Sequence, residues 1–184
     1  MSKLVASFFV SLDGVVEAPE TWNSPYFNEE MGAAIGQSIA STEAFLLGRR
    51  TYEDWAAFWP QQDPADNPMA GAINGLPKYV VSRTLDELGW ESATLLQGDL
   101  REEVSKLKAR AEKDIAVSGS GTLVRSLIQV GLVDELRLMV HPVLLGSGRR
   151  LFEDGEAAAP LELVASETFD TGVINLTYRP GKSP

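Results

Sequence analysis

The sequence predicts an α/β fold, with a mostly parallel central sheet and an antiparallel strand at the C-terminal edge. Three observations predict it. Short apolar runs alternate with segments of helical apolar spacing through most of the chain, the order from which parallel sheets are built. A glycine-rich stretch, Ser118-Gly119-Ser120-Gly121-Thr122-Leu123, follows one such run and opens an amphipathic segment. Near the end, residues 161–168 and 172–178 are two strand-like runs with Phe169-Asp170-Thr171 between them, which reads as a hairpin or a closely paired couple of strands.

Residues 4–10 are apolar enough for a buried strand, and the Asp13-Gly14 pair after it is a turn signal. A loop with Pro19 and Pro25 leads to a helix over 27–40, where Phe27, Met31, Ala34, Ile35 and Ile39 fall near helical spacing. Ala44 to Leu47 is a second strand, stopped at Gly48, and 49–58 is a short helix that begins directly after it. Residues 60–77 hold four prolines, two glycines and two asparagines and read as the longest loop, either a lid or a surface excursion. Strands follow at 78–82 and 93–97, and Leu100, Val104, Leu107 and Ala111 mark a helix. A strand at 115–118, a helix over 121–130 and an alternating run at 135–140 complete the series before His141-Pro142.

A chain of 184 residues, 44% hydrophobic, can bury one sizeable core and is short for two ordinary domains, so one domain is expected across 1–184. No run approaches the roughly 18 apolar residues of a membrane span, and the N-terminal residues lead into a strand without a cleavage pattern, from which a cytoplasmic protein is expected. The absence of cysteine excludes disulfides, thiolate nucleophiles and Cys-based zinc sites, and a single histidine excludes a His-rich metal cluster. No metal is expected. Sixteen basic against 26 acidic side chains give a net charge of −10, which repels nucleic acid and anionic membranes. An anionic ligand must therefore find a local basic pocket.

Four segments fall at the carboxyl ends of expected strands: Ser11-Leu12-Asp13-Gly14, Gly48-Arg49-Arg50-Thr51-Tyr52, Ser82-Arg83-Thr84 and Ser118 to Leu123. Ligands of open α/β sheets bind outside those ends. Glycines 119 and 121 allow a tight turn with close backbone approach, and the amides opening the next helix would face an anion. Alone, that turn lacks the full G-x-G-x-x-G spacing, and an ordinary strand-to-helix turn remains open.

Taken together and in this order, the four segments resemble the dihydrofolate reductase superfamily, and more closely its riboflavin-biosynthesis reductase branch. The resemblance covers nearly the whole chain and implies a dihydrofolate-reductase-like three-layer fold. Its most family-specific string is Gly131-Leu132-Val133-Asp134-Glu135-Leu136 followed by His141-Pro142-Val143-Leu144-Leu145-Gly146-Ser147-Gly148-Arg149-Arg150-Leu151-Phe152. The resemblance implies NADPH as cofactor. Gly48, Arg49, Arg50 and Thr51 look like the segment that meets its adenosine side, Ser82 and Arg83 like the run near its 2′-phosphate, and Gly119, Ser120, Gly121, Thr122 and Leu123 like the pyrophosphate turn. A serine separates the two glycines of that turn. Ser11 to Gly14 would line the nicotinamide and substrate pocket.

The implied activity is reduction of a ribosylaminouracil-like or pteridine-like heterocycle, as by a 5-amino-6-(5-phosphoribosylamino)uracil reductase. Bifunctional members carry a zinc deaminase with H-x-E and P-C-x-x-C signatures, which a cysteine-free chain cannot contain; a stand-alone reductase domain is expected. Reduction of dihydrofolate or another pterin is an alternative, and a non-catalytic nucleotide-binding dimer is another. The family's late strands imply a homodimer, with the apolar run 140–145 as a candidate symmetric contact.

Asp13 and Glu30 are the candidate catalytic carboxyls. Asp13 can equally be a turn residue, and Glu29 and Glu30 equally a helix-start pair that suits the macrodipole. Ser11, Trp22, Phe27 and Trp55 are candidate substrate contacts, with Tyr26 and Trp59 as further aromatics that could wall a flat ring or pack internally. His141 could donate a proton, or serve a structural role at a strand end before proline. Arg149-Arg150 could hold a substrate phosphate or cap a turn.

Overall fold

The computed structural model describes residues 2–155 and 158–181. Its strands are β1 (Leu4–Ser11), β2 (Thr42–Gly48), β3 (Lys78–Val81), β4 (Ala93–Leu96), β5 (Asp114–Val117), β6 (Glu135–His141), β7 (Leu161–Thr168) and β8 (Ile174–Pro180). Its helices are α1 (Glu29–Ala40), α2 (Arg49–Phe58), α3 (Pro68–Gly75), α4 (Leu100–Arg110) and α5 (Gly121–Gln129). The sheet order is β4-β3-β2-β5-β1-β6-β8-β7. The pairs from β4 across to β6 are parallel, and β8 runs antiparallel to both β6 and β7. The late hairpin is thus present, with its second strand lying inside its first.

Alternation along the parallel strands sends side chains to two differently covered faces. Leu4, Ala6, Leu46, Ile115, Val117 and Leu136 face one side, where α4 buries Val104 and Leu107 and α5 buries Leu123, Val124 and Leu127. Phe45, Leu47, Val80 and Ala116 face the other, under Tyr52 of α2 and Ile73 of α3. A smaller cluster of Met31, Phe169 and Val173, flanked by Phe9, Tyr26 and Met139, fixes α1 over the β1–β6–β8 region. Each large aliphatic side chain so enclosed is worth about 1.5–3 kcal/mol.

Helix starts follow cap chemistry. Asn28 Oδ1 accepts from Met31 N at 3.0 Å, Asp99 Oδ1 from Glu102 N at 3.1 Å, and Ser120 Oγ from Leu123 N at 3.4 Å. One expectation needs correcting. The segment 60–77 is not a long loop, because it contains a 3₁₀ turn at Trp59–Gln61 and the helix α3. Pro68 sits in the first turn of α3, where a missing N–H costs nothing, so proline there starts the helix it was read as forbidding.

Candidate active site

Because β3, β2, β5, β1 and β6 are adjacent and parallel, their carboxyl ends lie along one edge of the sheet. At about 4.8 Å between neighbours, the track from the end of β3 to the end of β6 is ~19 Å long. Strand order reverses at β5, which returns between β2 and β1, the kind of place where open α/β sheets form a crevice.

The β2 and β5 ends are interlocked. Gly48 N donates to Gly119 O at 3.0 Å, and a Cβ on Gly48 would lie 2.6 Å from Ser120 Oγ and 3.0 Å from Ser120 N. Gly119 has φ +138°, and a Cβ there would meet Thr51 Oγ1 at 2.5 Å. The Gly119–Ser120 peptide is cis. Two segments read separately in the sequence, Gly48 to Thr51 and Gly119 to Leu123, are therefore one surface, and both glycines are required by contact. Ser120 caps α5, Gly121 and Thr122 form its first turn, and Leu123 is a core residue, 6% exposed. The first-turn amides are those a helix leaves without acceptors of its own.

At the β3 end, Ser82 is buried, and its Oγ accepts from Thr84 N and Leu85 N, both at 3.1 Å. That turn leaves Arg83 exposed. Arg50 is exposed as well, and neither arginine has a carboxylate partner among the described residues. Arg49 differs, since its Nη1 pairs with Glu53 one turn along α2 at 3.1 Å. Of the three arginines, Arg50 and Arg83 are the two available to an anion.

At the β1 end, Asp13 is the hub of a brace. Its carboxylate accepts from Ser11 Oγ at 2.7 Å, Gly146 N at 2.8 Å and Leu145 N at 3.2 Å. The Ser11 hydroxyl above all, then the Gly146 and Leu145 amides, hold its pKa down at about 2. Ser11 Oγ also accepts from Val15 N at 2.9 Å, and Gly14 turns the chain at φ +88°. Arg150 Nε donates to Asp13 O at 3.0 Å, Leu151 N to Gly14 O at 3.1 Å, and Arg149 pairs with Glu17 at 3.0 Å. The family-specific string after His141 is thus strapped across the first loop. Asp13 is ionised at neutral pH and has no proton to give. Glu30 lies elsewhere, its Oε2 accepting from Asp170 N at 2.7 Å and Asn28 Nδ2 at 2.8 Å, so it ties α1 to the β7–β8 turn; Glu29 is exposed.

His141 closes β6 and is fully buried, in register with Ser11. Trp22 meets its ring edge-on at 5.1 Å, while Trp22 Nε1 donates to Glu17 O at 3.0 Å. Phe27 is half-exposed and lies over Gly32. Trp55 is in a different group: it packs on Phe45 at 5.3 Å and on Trp59 at 6.1 Å, under α2. The structure gathers Ser11, Asp13, Gly14 and the Trp22–His141 pair at one end of the track and leaves Trp55 and Glu30 outside it.

With that geometry, comparison with known proteins is decisive. Residues 2–175 match the RibD C-terminal domain. The chain belongs to the RibD C-terminal domain family. The uncharacterized protein YyaP of Bacillus subtilis (strain 168) is 32% identical over 181 residues, covering 96% of this chain and 94% of YyaP. The uncharacterized YwjB of the same organism is 26% identical, covering 93% and 94%. A Shewanella sp. PV-4 protein assigned to riboflavin biosynthesis superposes with a TM-score of 0.80 at 22% identity, covering 99% of this chain and all of that one. Dihydrofolate reductase from Enterococcus faecalis, complexed with NADP(H), gives a TM-score of 0.66 at 16% identity, over 98% and 97%. The fold is dihydrofolate-reductase-like, and the RibD C-terminal domain family supports a reductase of the riboflavin-pathway type.

No helix among the described residues is long and apolar enough to cross a membrane, and no three of their acidic and histidine side chains group as a metal site. Sequence reasoning missed the brace made by Glu17, Arg149 and Arg150 with the Asp13 turn. Its partners lie about 130 residues apart along the chain, with only the family-like string as a signal.

Proposed function

We propose that this RibD C-terminal domain protein is an NADPH-dependent reductase acting on a ribosylaminouracil-like or pteridine-like heterocycle. One observation carries the reading: Gly48–Thr51, Ser82–Arg83 and Gly119–Thr122 stand side by side on the sheet edge, with Arg50 and Arg83 lacking carboxylate partners among the described residues. The residues fit the cofactor. Gly48 and Gly119 let the ends of β2 and β5 lock together, which sets Thr51 beside the start of α5; the amides of that start would face a pyrophosphate, and an arginine fork suits the phosphate that separates NADPH from NADH.

When bound, NADPH supplies the hydride, and the chain's task is placement. Ser11, Gly14 and Trp22 would border the ring to be reduced. Asp13 holds the 145–146 backbone and keeps its negative charge beside the site, and the accompanying proton would come from solvent. Placing Glu30 against the β7–β8 turn removes the carboxylate that a folate-type reading needs on α1, which favours the aminouracil class over dihydrofolate.

A homodimer is proposed with this reading. Val140 and His141 belong to the inner strand β6, so the run 140–145 offers no strand edge. The edge strand on that side of the sheet is β7, exposed along its whole length and carrying the exposed Leu161, Leu163 and Val164.

The test is thermal melting with NADPH, NADH and no ligand, on the natural chain and on Arg83→Ala. At 100 times its Kd, a ligand of the native state adds about 2.7 kcal/mol. The expected result is a larger shift with NADPH than with NADH, narrowed by Arg83→Ala. Equal or absent shifts would remove the NADPH assignment.

A further inference from the structure

The only histidine in the chain is wholly enclosed and carries an unused ring nitrogen. His141 Nδ1 lies 2.8 Å from Met139 O. A carbonyl can only accept, so Nδ1 carries the proton and Nε2 presents a bare lone pair. Nε2 has no partner. The edges or faces of Phe9, Trp22 and Tyr26 surround the imidazole at 5.8, 5.1 and 5.7 Å, each within 11° of perpendicular by angles of 79°, 87° and 80°. Burial above all lowers the ring's pKa, against backbone hydrogen bonds with Met139 and Val10 that raise it, which favours the neutral ring.

An orphaned buried acceptor is destabilising, and a residue kept only for packing at this position would do better without it. The place is also specific. His141 ends β6 directly opposite Ser11, on the face shared with Phe9 and Met139, at the end of the track where the hydride acceptor would lie. Two of its three aromatic neighbours, Trp22 and Tyr26, are half-exposed and ride on short 3₁₀ turns between β1 and α1, at Pro19–Thr21 and Ser24–Tyr26. Both pack against the imidazole while part of each stays open to solvent.

We infer that His141 is a specificity-determining residue, whose Nε2 accepts a hydrogen bond from an N–H or O–H on the flat heterocycle as Trp22 or Tyr26 turns aside. This inference rests on the reductase reading for the nature of the ring, and not for the state of the imidazole. It explains why a polar ring is enclosed by aromatics: an empty acceptor rejects a ring that brings an acceptor of its own, and rewards one that brings a donor.

Because the chain has one histidine, its ring nitrogens give one set of signals in the nitrogen-15 spectrum of the whole protein. The probe is 6-aminouracil, titrated with and without saturating NADP⁺, with binding followed by calorimetry. Expected are an unprotonated Nε2 in the free chain, a displacement of its resonance toward the hydrogen-bonded position on saturation with 6-aminouracil, and none with NADP⁺ alone. His141→Phe should melt no lower than the natural chain, bind NADP⁺ unchanged and bind 6-aminouracil at least tenfold more weakly. An Nε2 resonance unmoved at saturation, equal binding by His141→Phe, or no binding of the probe to a chain that binds NADP⁺ would each overturn the inference. Should NADP⁺ fail to bind, the nucleotide reading falls by itself, and the titration with 6-aminouracil alone still decides the role of His141. If His141→Phe does not fold, the ring spectrum of the natural chain decides it.

Discussion

Lys78 opens β3 with no solvent exposure and, among the described residues, no carboxylate partner. Its Nζ donates to Asn74 O at 2.7 Å and Ser92 Oγ at 3.2 Å and sits 4.1 Å above the Trp90 ring. Burial pushes its pKa down from 10.5 to about 8. At about 1.36 kcal/mol per pH unit, that displacement corresponds to ~3 kcal/mol of penalty for enclosing the ammonium. A lowered pKa means that the unfolded chain holds the proton between pH 8 and 10.5 while the folded chain has released it, so stability contributed by this group rises with pH across that window. Below pH 8 both states are charged and the penalty is fully present.

Lys78→Met removes the penalty and leaves the Asn74 carbonyl and the Ser92 hydroxyl short of a donor, which returns about 1–3 kcal/mol. The variant should therefore be as stable as the natural chain at pH 7.5, or more stable by up to ~2 kcal/mol. Urea melts of both proteins at pH 7.5, 9 and 10.5 test this, since changes at other residues cancel in the difference. The natural chain should gain on the variant by ~3 kcal/mol between the extremes. A flat difference, or a variant much less stable at pH 7.5, would refute the claim that burial dominates at Lys78.

Gly48→Ala places a methyl against Ser120 Oγ and the Ser120 backbone, so about 1–3 kcal/mol of stability should be lost together with the NADPH-induced shift in melting temperature; intact NADPH binding would mean that the β2–β5 interlock is not the cofactor cradle. Asp13→Asn keeps the shape but loses the charge that holds two backbone amides, and should raise KM for substrate through a loosened 145–151 strap while stability above pH 4 falls; unchanged hydrogen exchange at Leu145 and Gly146 would count against it. Leu163→Glu on the exposed edge strand should yield monomers by sedimentation if β7 pairs with a second copy, with melting temperature at low protein concentration nearly unchanged. A natural chain that sediments as a monomer would remove the dimer.

Much of the fold was legible before any coordinates. Apolar runs bounded by turn residues located the strands, and the ranges 49–58, read from the stop at Gly48, and 161–168 coincide with α2 and β7. The binding segments could be read as well, because loops at strand ends are local in sequence and carry local signals such as glycine pairs and arginines. α3 was not legible, since Pro68 carries opposite meanings at a helix start and in its interior.

By itself, then, the sequence determined the alternating pattern, the family resemblance and the absence of thiol chemistry, all of which depend on residue identity and near neighbours. Tertiary structure alone decided which groups are free to act. Arg49 is engaged by Glu53 while Arg50 and Arg83 are not; Asp13 is an ionised brace; Glu30 serves the β7–β8 turn; and His141 keeps a lone pair unspent inside three aromatic rings. Hydrogen-bond partners and burial come from segments up to 140 residues apart, and no local pattern encodes them.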